Sequence, residues 1–253
     1  MKAPARIISQ VFLTVILIFI AVKIGLAFFL HVVIWDEAVY IGMGKHLFSF
    51  GSVGIWEIFR PIIVPLMLGT VWKTIPGNYF FIVSELLMIA FAVGYVYAAY
   101  ALSKELFGNR VGALTGIIIS LTPIFFLNSG LMLSDIPSAL FITLVMLLAI
   151  RKKYFLAGIF GGVAFLTRFT HGLGLFAIAI VLVLPFSNLS TKNFFRFLLG
   201  AALSIIPFLT FNYFIYRNET SNFAVAMLRP LILAVPHQYN PFVGSTTPLF
   251  YFV

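Results

Sequence analysis

The stretch IISQVFLTVILIFIAVKIGLAFFL, Ile7 to Leu30, decides the class of fold. A cleaved signal peptide has an apolar core of roughly 7–15 residues followed by a small-residue cleavage site. This run is longer and no such site follows it. A helix that crosses a bilayer needs about 20 mostly apolar residues. The stretch therefore reads as a retained first transmembrane helix. Lys2 and Arg6 precede it and place the N-terminus in the cytoplasm. Lys23 interrupts it near the outer end and is expected to snorkel to the interface.

The rest of the chain agrees. Of 253 residues, 62% are hydrophobic and only 9% charged, with 30 phenylalanines and a mean hydropathy of +1.12. A soluble domain is roughly half apolar and about a quarter charged. This chain cannot coat a soluble sphere, which excludes a soluble enzyme, a disordered protein and a nucleic-acid-binding domain. The net charge of +9 follows from basic residues collecting in cytoplasmic loops. With no cysteines there is no disulfide or thiolate metal site. His31, His46, His171 and His237 form no ligand-spaced cluster.

Apolar runs predict seven spans, near 8–30, 79–102, 111–128, 136–150, 154–168, 172–187 and 195–216. The expected fold is all-α: one membrane-embedded domain over residues 1–253, with a first external loop at 32–78 and an external tail at 217–253. Ile62 to Trp72 is apolar enough to suggest an eighth span, which would invert everything after it. Without it, Lys104, Arg110, Arg151, Lys152, Lys153, Lys192 and Arg196 join Lys2 and Arg6 on the cytoplasmic side, as the positive-inside rule requires. Pro61 to Trp72 also covers only about 18 Å as a helix, short of the hydrocarbon core. It reads as an interfacial helix with Pro61 in its first turn. A second interfacial helix is predicted over Glu37–Phe48, with Tyr40, Met43, Gly44, Leu47 and Phe48 on one face and Lys45 and His46 opposite. Gly51 and Gly54 supply the turn between them.

The acidic residues are few enough to take singly, and ionisable groups beside a bilayer are functional candidates. The two aspartates are Asp36, in IWDEAVY, and Asp135, in LSDIP. Each can be read as the capped start of a helix. Each also falls on the external face of the seven-span topology, and together they suggest a carboxylate site at the outer leaflet. Arg60 and Arg168 share that face, where a guanidinium suits phosphate oxygens; anchoring to lipid headgroups explains them as well. Trp35, Trp56 and Trp72 fit an interfacial belt, and Trp35 is placed beside Asp36 for sugar binding. His171 lies in the turn with Arg168. Glu57, in the first loop, reads as a second acceptor-side carboxylate. Glu85, within the second span, reads as a partner of Lys73 or a cavity-lining group, and Glu105 as a solvated side chain. Glu219 sits in the glycosylation sequon Asn218-Glu219-Thr220.

Taken in order, Asp36-Glu37-Ala38 after the first span, Arg60-Pro61 with Pro65, Ser134-Asp135-Ile136-Pro137, and Ala164-Phe165-Leu166-Thr167-Arg168 resemble the GT-C membrane glycosyltransferases. The similarity is to the protein O-mannosyltransferase and aminoarabinose transferase branch, from about residue 10 onward. The resemblance implies a multi-pass protein of the cell membrane that moves a sugar from a polyprenyl phosphate to an extracytoplasmic acceptor, be it protein, lipid or glycan. It implies that Asp36, with Glu37 beside it, and Asp135 are the catalytic carboxylates. Arg60, Arg168, His171 and Trp35 are expected to bind substrate. No cofactor or metal is expected, although some relatives use a divalent cation. Family members carry further spans, which implies a fragment, a decayed copy, or a chain completed by a second subunit. The alternative is a non-catalytic membrane subunit that binds a lipid-linked sugar or a partner transferase. A transporter would place more polar residues deep in its spans.

Overall fold

The computed structural model describes residues 3–29, 33–57, 60–183 and 191–216. His31, the tail with its sequon, and the end of the predicted sixth span lie outside the described residues. Among the described residues the protein is all-helical, without strands.

The helices are α1 (Ala3–Ala27), α2 (Trp35–Phe48), α3 (Ile63–Thr74), α4 (Phe80–Phe107), α5 (Asn109–Leu121), α6 (Pro123–Asn128), α7 (Asp135–Ile150), α8 (Tyr154–Thr167), α9 (His171–Val183) and α10 (Thr191–Tyr216). The windows Gln10–Ala27, Gly77–Phe107 and Thr191–Thr210 are long and apolar enough to cross a membrane. Asn109–Leu121, Asp135–Ile150, Tyr154–Thr167 and His171–Ile180 are shorter apolar helices. Large apolar side chains such as Leu13, Ile118, Phe176 and Leu203 face outward, as lipid contact requires. The chain is a polytopic membrane protein.

The third predicted span is broken. Thr122 ends α5 and begins α6 in an extended conformation, with φ −68° and ψ 120°. Pro123 causes this, because a proline has no N–H to donate and disfavours helical backbone in the residue before it. The chain recovers at once: the Phe126 N–H reaches the Thr122 carbonyl at 2.9 Å.

Both helices of the first loop are present, and they pack on each other. Tyr40 and Ile41 of α2 share a core with Val64, Leu68 and Val71 of α3 and with Phe80 and Met88 of α4. Residues 37–44 are buried without interruption, so α2 is enclosed by protein on more than the one face its sequence pattern marks. Pro61 lies before α3 rather than in its first turn; Pro65 sits there instead, where a missing N–H costs nothing. Gly54 has φ +86°, and a Cβ there would meet the Gly42 carbonyl. That turn folds the loop back onto α2, and the Ile55 N–H donates to the same carbonyl at 3.3 Å.

Deeper in the bundle, α8 and α10 approach backbone to backbone. A Cβ on Gly158 would strike the Phe197 carbonyl, and one on Gly200 the Phe155 carbonyl. Small residues at such spacing are how helices associate where lipid removes the hydrophobic drive. The Ser204 hydroxyl seals the contact with a 3.0 Å bond to the Ile159 carbonyl.

Two further sequence expectations change. Lys23 does not snorkel: it is 8% exposed and donates to the Phe126 carbonyl at 3.1 Å. Glu105 is not merely solvated, since Arg151 reaches it at 2.7 Å. That pair joins the α4–α5 turn to the α7–α8 turn, which places these two turns at one end of the bundle.

Candidate functional site

At the other end, four separate segments of the chain converge. The start of α2, the segment before α3, the start of α7 and the turn after α8 border a cavity of about 280 Å³. Asp36, Tyr40, Arg60, Pro61, Leu133, Ser134, Asp135, Arg168, Phe169 and Thr170 line it. Four of the sequence-predicted residues, Asp36, Arg60, Asp135 and Arg168, meet there across more than 130 positions of chain.

The charges are paired. The Arg60 Nη2 donates to Asp36 Oδ1 at 2.7 Å and its Nε to Glu57 Oε2 at 3.0 Å. Its guanidinium also lies over the Tyr40 ring, 5.3 Å from the centroid. Burial works against the Arg60 charge, but the bonds and charges of Asp36 and Glu57 outweigh it and hold the guanidinium above its ordinary value. Arg168 pairs with Asp135 and is the more open of the two, its side chain 42% exposed against 24% for Arg60.

Local sequence explains the placement. Asp36 and Tyr40 are four residues apart on α2 and so share a face. Asp135 opens α7 with Ser134 as the cap residue, although neither side chain caps the helix. Instead the Tyr40 hydroxyl donates to Ser134 Oγ at 3.2 Å, tying α2 to the start of α7. Arg168 terminates α8 in extended backbone.

Glu37 is absent from the cavity lining. It is 1% exposed, and both of its carboxylate oxygens accept backbone N–H groups: Ile34 at 2.8 Å and Met132 at 2.6 Å. The first is one half of a capping box. Burial pushes the Glu37 carboxyl above its ordinary value, against the pull of those two amides. Trp35 is about half exposed and His171 begins α9 beside Thr170; neither lines the cavity. The His171 Nε2 is buried without a hydrogen-bond partner among the described residues.

Tyr40, Ser134 and Glu57 belong to the charged network in ways the sequence reading did not assign. Tyr40 was legible from its spacing to Asp36, and Glu57 from its spacing to Arg60. Ser134 carried only a capping signal.

No group of three or more His, Cys, Asp or Glu side chains gathers to hold a metal among the described residues. Asp36 faces the Arg60 guanidinium and Asp135 that of Arg168.

An ion-paired cavity thus lies at one end of an apolar, membrane-compatible helical bundle. The family model described as dolichyl-phosphate-mannose-protein mannosyltransferase matches residues 59–214, more than half of the chain. The protein belongs to that family and is a membrane glycosyltransferase of the GT-C type. No curated protein and no solved structure matches the chain.

Proposed function

We propose that the protein transfers a sugar from a polyprenyl-phosphate donor to an acceptor on the extracytoplasmic side, at the cavity between Asp36 and Asp135. One observation carries this reading: two carboxylates and two guanidiniums from distant parts of the chain border a single cavity. Its sidedness rests on charge. The Arg151–Glu105 pair, with Lys104, Arg110, Lys152 and Lys153 close by in sequence, supports a cytoplasmic opposite end.

The reaction forms a bond between the acceptor oxygen and the anomeric carbon and breaks the bond from that carbon to the phosphate oxygen. The acceptor proton must go to a base, and the bonding electrons leave with the phosphate. Asp36 takes the proton. Arg60 has two carboxylate partners, so its role is to orient Asp36. Arg168 pairs with Asp135 among the described residues and is open to the cavity; a donor phosphate exchanges with that carboxylate and docks on the guanidinium. Asp135, displaced, faces the acceptor. Glu37 acts from behind, fixing Met132 and with it the wall that carries Ser134 and Asp135.

The test is transfer by the full chain in proteoliposomes, from a radiolabelled polyprenyl-phosphate sugar and from the matching nucleotide sugar. Product from the lipid donor alone supports the reading. Product from the nucleotide sugar alone, or from neither with a panel of peptide, lipid and glycan acceptors, removes it.

A further inference from the structure

A second cavity, of about 290 Å³, lies between α1, α4 and α6. Phe126, Leu127, Gly130 and Leu131 line it, while Leu133, Ser134 and Asp135 line the first. One stretch of chain therefore borders both cavities. Part of its far side faces open volume instead of packed side chains, so polar ties carry more of its placement than packing does. Two of these ties come from α2: Glu37 accepts from the Met132 amide, and the Tyr40 hydroxyl donates to Ser134.

Another comes from α1. Lys23 is 8% exposed, and its ammonium donates to the Phe126 carbonyl at 3.1 Å, 103 positions away in the chain. The break at Pro123 makes that carbonyl available. Helix α6 ends at Asn128, so Phe126 belongs to a last turn whose carbonyls lack helical partners. Within a bilayer the protein itself must meet such a group; Lys23 does so, together with the Ser129 hydroxyl at 2.8 Å. The ammonium also lies 5.0 Å from the centroid of the Phe126 ring. One turn earlier on α1, Phe19 packs on the rings of Phe125 and Phe126. Meeting one carbonyl does not call for a charge, which is costly at this depth. Glu85 of α4 is in electrostatic contact with Lys23, which offsets that cost and ties a third helix to the same point.

We propose that Lys23 is a positioning residue for transfer: by holding the Phe126 carbonyl it fixes the stretch that carries Ser134 and Asp135, and with it the distance of Asp135 from Asp36 across the first cavity. This inference rests on the reading of that cavity as the transfer site. Without the tie, the stretch moves toward the second cavity and takes Asp135 away from the acceptor. Asp36 and Arg168 stand on α2 and on the turn after α8, outside the stretch, so proton removal and donor docking keep their geometry.

The test compares the full chain with Lys23→Met, which keeps the length of the side chain and removes its donors. Lys23→Arg restores donors, and the adjoining cavity admits its larger head. Amide hydrogen exchange over residues 127–134, in detergent, needs no activity. Lys23→Met exchanges there about tenfold faster, the scale of one charge-assisted hydrogen bond, and Lys23→Arg returns toward the wild type. In proteoliposomes Lys23→Met raises the KM for the acceptor about tenfold and leaves the KM for the lipid donor unchanged, a split that general loosening of the bundle does not produce. Lys23→Arg restores the acceptor KM. Wild-type exchange in Lys23→Met, equal rises in the two KM values, or no restoration by arginine overturns the proposal. A wild-type chain that transfers nothing removes the transferase reading, and this proposal with it; transfer by the wild type with unchanged exchange in Lys23→Met overturns this proposal alone. Should Lys23→Met not fold, Lys23→Met combined with Glu85→Gln removes both charges together, and the same results support or overturn the assignment.

Discussion

The Glu37 carboxylate bonds the Met132 amide at 2.6 Å, 95 positions away in the chain. With its other oxygen on Ile34, one buried side chain fixes both the start of α2 and the wall leading into α7. Those two segments carry Asp36 and Asp135.

Glu37→Gln leaves one of these amides facing an NH₂ group in place of an oxygen. An unsatisfied buried donor costs about 1–3 kcal/mol, and a drop of that size is expected in unfolding free energy, measured by denaturant titration in detergent.

The same residue sets a pH dependence. Because burial raises the Glu37 carboxyl in the folded state, its contribution to stability is fully present below the unfolded value and is lost as pH rises through the folded value. Stability followed by thermal unfolding therefore falls as pH climbs from the ordinary glutamate range toward neutrality. Glu37→Gln removes that component of the slope; an identical slope in the variant contradicts it.

Arg60 and Arg168 are separable. Arg168→Ala raises the KM for the lipid donor, since the phosphate loses its docking group. Arg60→Ala leaves Asp36 and Glu57 without their shared cation and lowers kcat instead. Steady-state kinetics with varied donor distinguishes the two, and equal effects of both substitutions on KM contradict the assignment.

Tyr40→Phe keeps the ring under Arg60 but loses the bond to Ser134. A cost of about 1 kcal/mol is expected, read by denaturant titration, with a smaller effect on transfer than any substitution of Asp36.

Gly158→Leu drives a side chain into the Phe197 carbonyl. The α8–α10 contact cannot relax without moving backbone, so overpacking costs at least about 1–3 kcal/mol. A lowered melting temperature in detergent is the readout.

Much of this architecture was legible from hydropathy and charge. Apolar run length marks where the helices lie, and the basic residues mark which turns share an end. The break at Thr122–Pro123 hides inside one apolar run, because a span and a kinked span have the same composition. Lys23 misled for a related reason. Snorkelling is the default for a lysine near a span end, and only the tertiary placement of the Phe126 carbonyl supplies a buried alternative. Residue type and topology put Asp36, Asp135, Arg60 and Arg168 on one face, and all four border the same cavity. The sequence could not separate Asp36 from Glu37, which are adjacent and both acidic. Helical geometry turns neighbouring positions about 100° apart, so one faces the cavity and the other the core. The long-range ion pairs were illegible for a different reason: Asp135 and Arg168 are 33 positions apart, and nothing local links them.

Single-turnover transfer by Asp36→Asn, in proteoliposomes with an intact lipid-linked donor, tests the central claim most directly. A positioned general base is worth roughly 10²–10⁴-fold, and a loss of about that size is predicted while insertion and melting temperature stay at the wild-type values. Transfer at the wild-type rate would contradict the assignment of Asp36 as the base.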